Sequence, residues 1–235
     1  MSEWWSYSLT DLLPFSARTY YRLFELYNAA IWPGQILTML LGVAILVLLR
    51  RPVPAQGRVI SAILAACWLW VAWAFLLTRF ATINWAAPYF AAAFAAEALL
   101  LVLIGMAVGS MCLPLNGRWV TRAGIGLFLF ALVIQPLIGP ISGRMWSQME
   151  VFGVAPDPTV VATLGLLILS PHWSKWLLLA VPIMWCLVSG ATLWAMESAE
   201  APVMLLAAAV AIVAAGSATF SRPNRATPQA GGSRQ

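Results

Sequence analysis

Ala86-Ala-Pro-Tyr-Phe-Ala-Ala-Ala-Phe-Ala-Ala-Glu97-Ala-Leu-Leu-Leu-Val-Leu-Ile-Gly-Met-Ala-Val-Gly-Ser-Met111 is the stretch whose reading decides the fold. It is apolar throughout except for one carboxyl near its middle. About 20 such residues in a helix cross the ~30 Å hydrocarbon core of a bilayer. The stretch therefore predicts a membrane-spanning helix, and the rest of the chain repeats the pattern. Further apolar runs cover Gly34–Leu49, Val59–Thr78, Ala123–Ser142, Trp176–Met196 and Val203–Phe220. A shorter run, Pro158–Leu169, gives about 18 Å of helix. It spans only if it continues through Pro171 and Trp173, and is otherwise re-entrant. The expectation is an all-α, polytopic transmembrane bundle of about seven spans.

Composition agrees. Of 235 residues, 62% are hydrophobic and 9% charged, with a mean hydropathy of +0.87. Soluble domains carry about 25% charged residues, so a water-facing surface is excluded for most of this chain. The net charge of +5 sits in short loops beside apolar runs, which points to a membrane surface and not to nucleic acid. Cys67, Cys112 and Cys186 lie in or beside apolar segments and imply no disulfide framework. No cleavable signal peptide is expected, because the first strong apolar run begins only near Gly34.

Residues 1–33 read as an extracytoplasmic interfacial segment, 34–220 as the transmembrane domain, and 221–235 as a disordered cytoplasmic tail. Trp4, Trp5 and Tyr7 suit the headgroup level. A helix capped by Ser16 carries Tyr20, Leu23, Phe24, Tyr27 and Ile31 on one face, the pattern of an amphipathic helix lying along a membrane. Asp157-Pro158-Thr159 has the form of a helix start, with Asp157 as cap. The loop from Gly143 to Asp157 is the longest and reads as a lid or partner surface.

Charge sets the orientation. Arg50, Arg51, Arg58, Arg118, Arg122, Lys175, Arg222, Arg225 and Arg234 fall on one side with no acid. The other side holds the four remaining Arg and every acid except Glu97. Positive residues stay inside, so the N-terminus is expected outside and the C-terminus in the cytoplasm, in the cell inner membrane.

Few residues could carry chemistry. A charge at the depth of Glu97 costs about 2.5–3.5 kcal/mol on insertion scales. Glu97 reads either as a proton relay or cation-coordinating carboxylate facing a cavity, or as a protonated side chain bonded to a neighbouring helix. Gln135-Pro136 and Gly139-Pro140 mark a kink that can line a binding site or simply bend the helix. An outward-facing cavity lined by Glu97, Gln135, Trp68 and Trp73 is the resulting substrate or proton site. Cys67, Cys186, Met106 and Met184 lack the spacing of a soft-metal site. His172 and Lys175, beside Trp173 and Trp176, read as interfacial anchors. Gly105 with Gly109, and Ala207, Ala211 and Ala215, are small-residue packing faces. No P-loop, H-E-x-x-H or G-x-S-x-G occurs. No catalytic residue, metal or cofactor is expected, and the chain is not read as an enzyme.

Three segments carry a resemblance: Trp4–Pro33 (W-W-S-Y-S-L-T-D-L-L-P-F-S-A-R-T-Y-Y-R-L-F-E-L-Y-N-A-A-I-W-P), Thr82–Phe90 (T-I-N-W-A-A-P-Y-F) and Val151–Thr159 (V-F-G-V-A-P-D-P-T). They resemble a bacterial domain-of-unknown-function family of small multi-pass membrane proteins, sometimes labelled permeases of the major facilitator type. The resemblance implies a membrane location and brings no catalytic or binding residues with it. Two functional classes follow: a small permease or transporter, or an accessory or scaffold subunit of a membrane complex. The expected partners are the lipid bilayer and either further copies of the chain or a membrane-complex subunit.

Overall fold

A computed structural model describes residues 14–51, 53–107 and 119–220. Trp4, Trp5, Tyr7, Gly109, Cys112, Arg118 and the tail lie outside the described residues. Among those described there is no strand. The helices are α1 (Ala17–Ile31), α2 (Gly34–Arg50), α3 (Gln56–Trp70), α4 (Ala87–Leu100), α5 (Trp119–Leu129), α6 (Gln135–Ile141), α7 (Pro156–Leu167), α8 (Lys175–Ala195) and α9 (Ala201–Phe220). α3 and α4 run on into π-helical segments, Val71–Leu77 and Leu101–Ala107, and a third, Phe130–Ile134, joins α5 to α6. The helix boundaries fall within a few residues of the apolar runs.

Four continuous helical stretches are long and apolar enough to cross a membrane: Gln56–Thr82, Ala87–Gly105, Trp119–Ile141 and Lys175–Ala195. A fifth is counted if α1 and α2, bent by 87° at their junction, form one broken span. α2 has 17 residues and α7 has 12. The outward faces are apolar, as on α2, where Ile36, Leu37, Leu40, Val43 and Val47 are exposed. Such a face fits lipid contact, because the hydrocarbon offers no polar partner and none is needed.

α7 is the central column. Every residue in it is buried, and it packs against α3, α5, α8 and α9. Twelve residues make about 18 Å of helix. Its polar groups are satisfied internally. Thr159 and Thr163 donate their hydroxyls to the carbonyls one turn back, Ala155 (2.6 Å) and Thr159 (2.8 Å). Each hydroxyl also accepts a bond, from the Gly153 N–H (2.8 Å) and the Trp68 indole (2.9 Å) respectively. Gly124 and Gly165 let α5 and α7 nearly touch: a Cβ on either would lie 2.6 Å from the other's carbonyl oxygen.

α1 lies across one end of the bundle. Ser16 caps it, accepting from the Thr19 N–H at 3.2 Å. Its apolar face packs on protein: Phe24 stacks on Phe75 at 4.7 Å between ring centroids, and Tyr20 meets Phe80 at 6.1 Å. The Trp70 indole donates to the Tyr27 hydroxyl, which donates to the Val154 carbonyl, both at 3.0 Å.

The loop between α6 and α7 is no free lid. Asn28 on α1 donates to the carbonyls of Ser147 (2.9 Å) and Met149 (2.8 Å), and Phe152, Val154 and Ala155 are buried. Gly153 sits at φ +81°, and a Cβ there would lie 2.8 Å from Thr38. Only glycine fits that turn beneath α2 without strain.

Candidate functional site

The polar interior divides into two places. The first is Glu97 on α4, which is completely buried. Neither of its carboxyl oxygens has a hydrogen-bond partner among the described residues. One turn before it, Phe94 packs against Trp68 at 4.4 Å and Trp185 at 4.9 Å between ring centroids. An aromatic layer therefore stands between Glu97 and the α1 end of the bundle. Buried polar groups are almost always bonded, so an unpartnered carboxyl at this place is an exception that needs a cause.

The other sequence-predicted site residues are not gathered around Glu97. The Trp68 indole is committed to Thr163. Trp73, in the π segment after α3, is 60% exposed and points away from the core. Gln135 is buried beside α9, where its amide nitrogen reaches the Met204 sulfur at 3.8 Å and its oxygen has no partner among the described residues. Pro136 stands in the first turn of α6, directly after the π segment Phe130–Ile134. No hydrogen bond joins Glu97 to Gln135. Lys175, read as an interfacial anchor, is buried, while His172 and Trp173 are exposed.

The second place lies at the α1 end and is built around Arg144. The local sequence puts it there. α6 ends in a Schellman turn, with the Arg144 N–H bonded to the Gly139 carbonyl (3.0 Å) and the Gly143 N–H to that of Pro140 (3.2 Å). Gly143 takes the left-handed φ of +95° that this turn requires. The chain doubles back, and the guanidinium lies over Gly139, where a Cβ would collide with it. α8 ends in the same way. Ser198 N–H bonds to Leu193 (2.9 Å) and Glu197 N–H to Trp194 (2.9 Å), which leaves Glu197 at φ +54°. That turn delivers Glu200.

Arg144 pairs with Glu200 and, at 3.5 Å, with Glu150, and its guanidinium lies 4.5 Å from the Tyr21 ring centre. Burial holds Glu150 well above the usual carboxylate range, Asp157 and Glu200 add to the push, and Arg144 opposes it. Burial also raises Glu200, against the pull of Arg144. For Arg144 burial acts downward, but Glu150 and Glu200 outweigh it and the net direction is up. Asp157 was expected to cap α7. Instead Ala155 is the N-cap and Pro156 the first residue, and the Asp157 carboxylate turns sideways to α8. There it accepts from the Trp185 indole and the Ser189 hydroxyl, both at 2.7 Å.

Reading the sequence one motif at a time missed this cluster, although all four residues had been placed on the same side of the membrane. Trp185 links the two places, since it holds Asp157 and packs on Phe94. Among the described residues no group of three or more His, Cys, Asp or Glu could hold a metal ion.

Neither a curated protein nor a solved structure matches the chain. A family model described as a family of unknown function (DUF6064) matches residues 17–225. That match covers most of the sequence and both polar sites, and the chain belongs to this family.

Proposed function

We propose that the chain is a seven-crossing bacterial inner-membrane protein, N-terminus outside and C-terminus in the cytoplasm, working as a small permease in which Glu97 handles a proton or cation. One observation supports the reading: a fully buried carboxyl in an apolar helix with neither a hydrogen-bond nor an ion-pair partner among the described residues. An ionisable group at membrane depth is functional by default. The orientation is supported by Arg144, Glu150, Asp157 and Glu200 meeting at the α1 end, the side to which charge counting assigned them. In this reading α7 is the fifth crossing in chain order, short because its neighbours shelter it from lipid. The chemistry needed is binding and release, with no covalent step.

Two measurements test this. Dicyclohexylcarbodiimide modifies protonated carboxyls in apolar surroundings, and peptide mapping is expected to find the adduct at Glu97 and to lose it in Glu97→Gln. Proteoliposomes under an imposed pH gradient are expected to show flux that the same substitution abolishes. An unlabelled Glu97 with unchanged flux removes it from the mechanism. A stoichiometric membrane partner in gentle purification would then favour the accessory-subunit reading.

A further inference from the structure

A groove of about 670 Å³ opens at the α1 end, between α1 and the turn that follows α3. Its size falls within the range of small-molecule sites, roughly 300–1,000 Å³. Three guanidinium groups line it: Arg18 and Arg22 from α1 and Arg79 from the turn. One acid, Glu25, is present, and it pairs with Arg22. Arg18 and Arg79 have no ion-pair partner among the described residues. Two positive charges are thus uncompensated at one concave place.

Two of the hydroxyls nearby are already committed as donors. Thr78 donates to the Ala74 carbonyl and Thr82 to that of Arg79, both at 2.7 Å. The charged donors are therefore the guanidinium forks, which suit oxyanions held by paired N–H bonds, and the Gln148 amide, whose oxygen accepts from the Met145 N–H, can add a neutral one. Leu23, Leu26, Ile83 and Met145 supply apolar wall, and Thr19 and Gln148 complete the lining. A phosphate group carries a charge of about −1.5 to −2 near neutral pH, which matches the uncompensated pair, and its tetrahedral oxygens can meet guanidiniums arriving from two elements.

We propose that the groove formed by Arg18, Arg22 and Arg79 binds a phosphate group carried on an apolar body. A lipid headgroup and a free phosphate ester share this chemistry. The site is separate from Glu97 and does not depend on the permease reading.

The test uses the full-length protein, delipidated in a non-ionic detergent and titrated calorimetrically. The probes are dihexanoyl phosphatidic acid, inorganic phosphate, and dihexanoyl phosphatidylcholine as the control for the apolar body alone. Saturable binding of one phosphatidic acid per chain is expected. In Arg18→Gln/Arg79→Gln it weakens by about tenfold or more, while Arg51→Gln, a loop residue beyond α2, binds like wild type. Binding of phosphatidic acid alone identifies a lipid headgroup, and comparable binding of inorganic phosphate identifies a soluble ester. An unchanged thermal midpoint shows that the double variant is folded. If it does not fold, Arg18→Gln alone, at an exposed helical position, takes its place. No saturable binding of either anion, equal binding of the zwitterionic control, or binding that survives the substitution overturns the proposal.

Discussion

Glu97 and Glu150 are both buried carboxyl groups in the same bundle, and their surroundings differ in kind. Glu97 sits among apolar side chains with no partner among the described residues. Glu150 sits beside a guanidinium shared with a second carboxylate, near a third that an indole and a hydroxyl hold in place. The first arrangement leaves a proton-binding group with nothing to replace the proton. The second ties three chain segments together through one cation. Neither oxygen of Glu150 has a hydrogen-bond partner among the described residues either, so what separates the two acids is the Arg144 countercharge at 3.5 Å.

The most direct way to break the comparison is Arg144→Gln. It leaves Glu150 and Glu200 buried without a countercharge, and breaking such a pair costs about 3–5 kcal/mol. The thermal midpoint in detergent should fall steeply, and adding Glu200→Gln should recover part of the loss, because the two sites are coupled. A small loss would mean that the guanidinium does not hold the α1 end together.

The same cluster predicts a pH dependence. Glu150 and Glu200 are raised above the ordinary value of 4.5 by burial. Each therefore binds its proton more tightly folded than unfolded. The stability each contributes is full below 4.5 and is lost as pH rises through the folded value. Thermal midpoints should decline as pH rises above the ordinary value and through the raised folded ones, and Glu150→Gln should flatten the slope. A midpoint that climbs over that range would contradict the raised values.

Glu197 offers a smaller effect of opposite sign. It occupies the left-handed position of the turn that delivers Glu200, at φ +54°. That conformation costs a side chain roughly 1–2 kcal/mol, which glycine avoids. Glu197→Gly should raise the midpoint by the equivalent of up to about 1 kcal/mol while leaving the Arg144–Glu200 pair intact.

Much of the helical frame was legible because the apolar runs and the Ser16 cap each have a local physical cause. Other features were not. A segment inside a membrane bundle and one facing lipid need the same apolar composition, so nothing in Pro158–Leu169 said that α7 would be buried on every side. Trp68 and Trp73 read as walls of one cavity, yet they lie on different sides of the helix: one faces Thr163 and the other faces outward. The Arg144 cluster assembles residues up to 56 positions apart, and its local signals were Gly139, which makes room for the guanidinium, and Gly143, which turns the chain back. Asp157 in a D-P-T start looked like a cap because capping is local, while its actual partners lie 28 and 32 residues away on α8.

Glu97→Gln is the smallest expected change in stability and the sharpest test of the contrast. A carboxyl that makes no hydrogen bond among the described residues has none of those to lose when it becomes an amide of nearly the same shape. Removing one member of a bonded pair would instead leave the other unsatisfied, at about 1–3 kcal/mol. The substitution should therefore move the thermal midpoint by less than the equivalent of about 0.5 kcal/mol, and Glu97→Leu should leave the protein as stable as wild type or more so, because it removes an unpaired buried polar group. Flux and carbodiimide labelling should be lost in both. A drop of several kcal/mol in Glu97→Gln would show that Glu97 is bonded to a neighbour in the folded bundle. Glu97 would then belong with Glu150 as a structural acid, and the distinction drawn from their partners would fail.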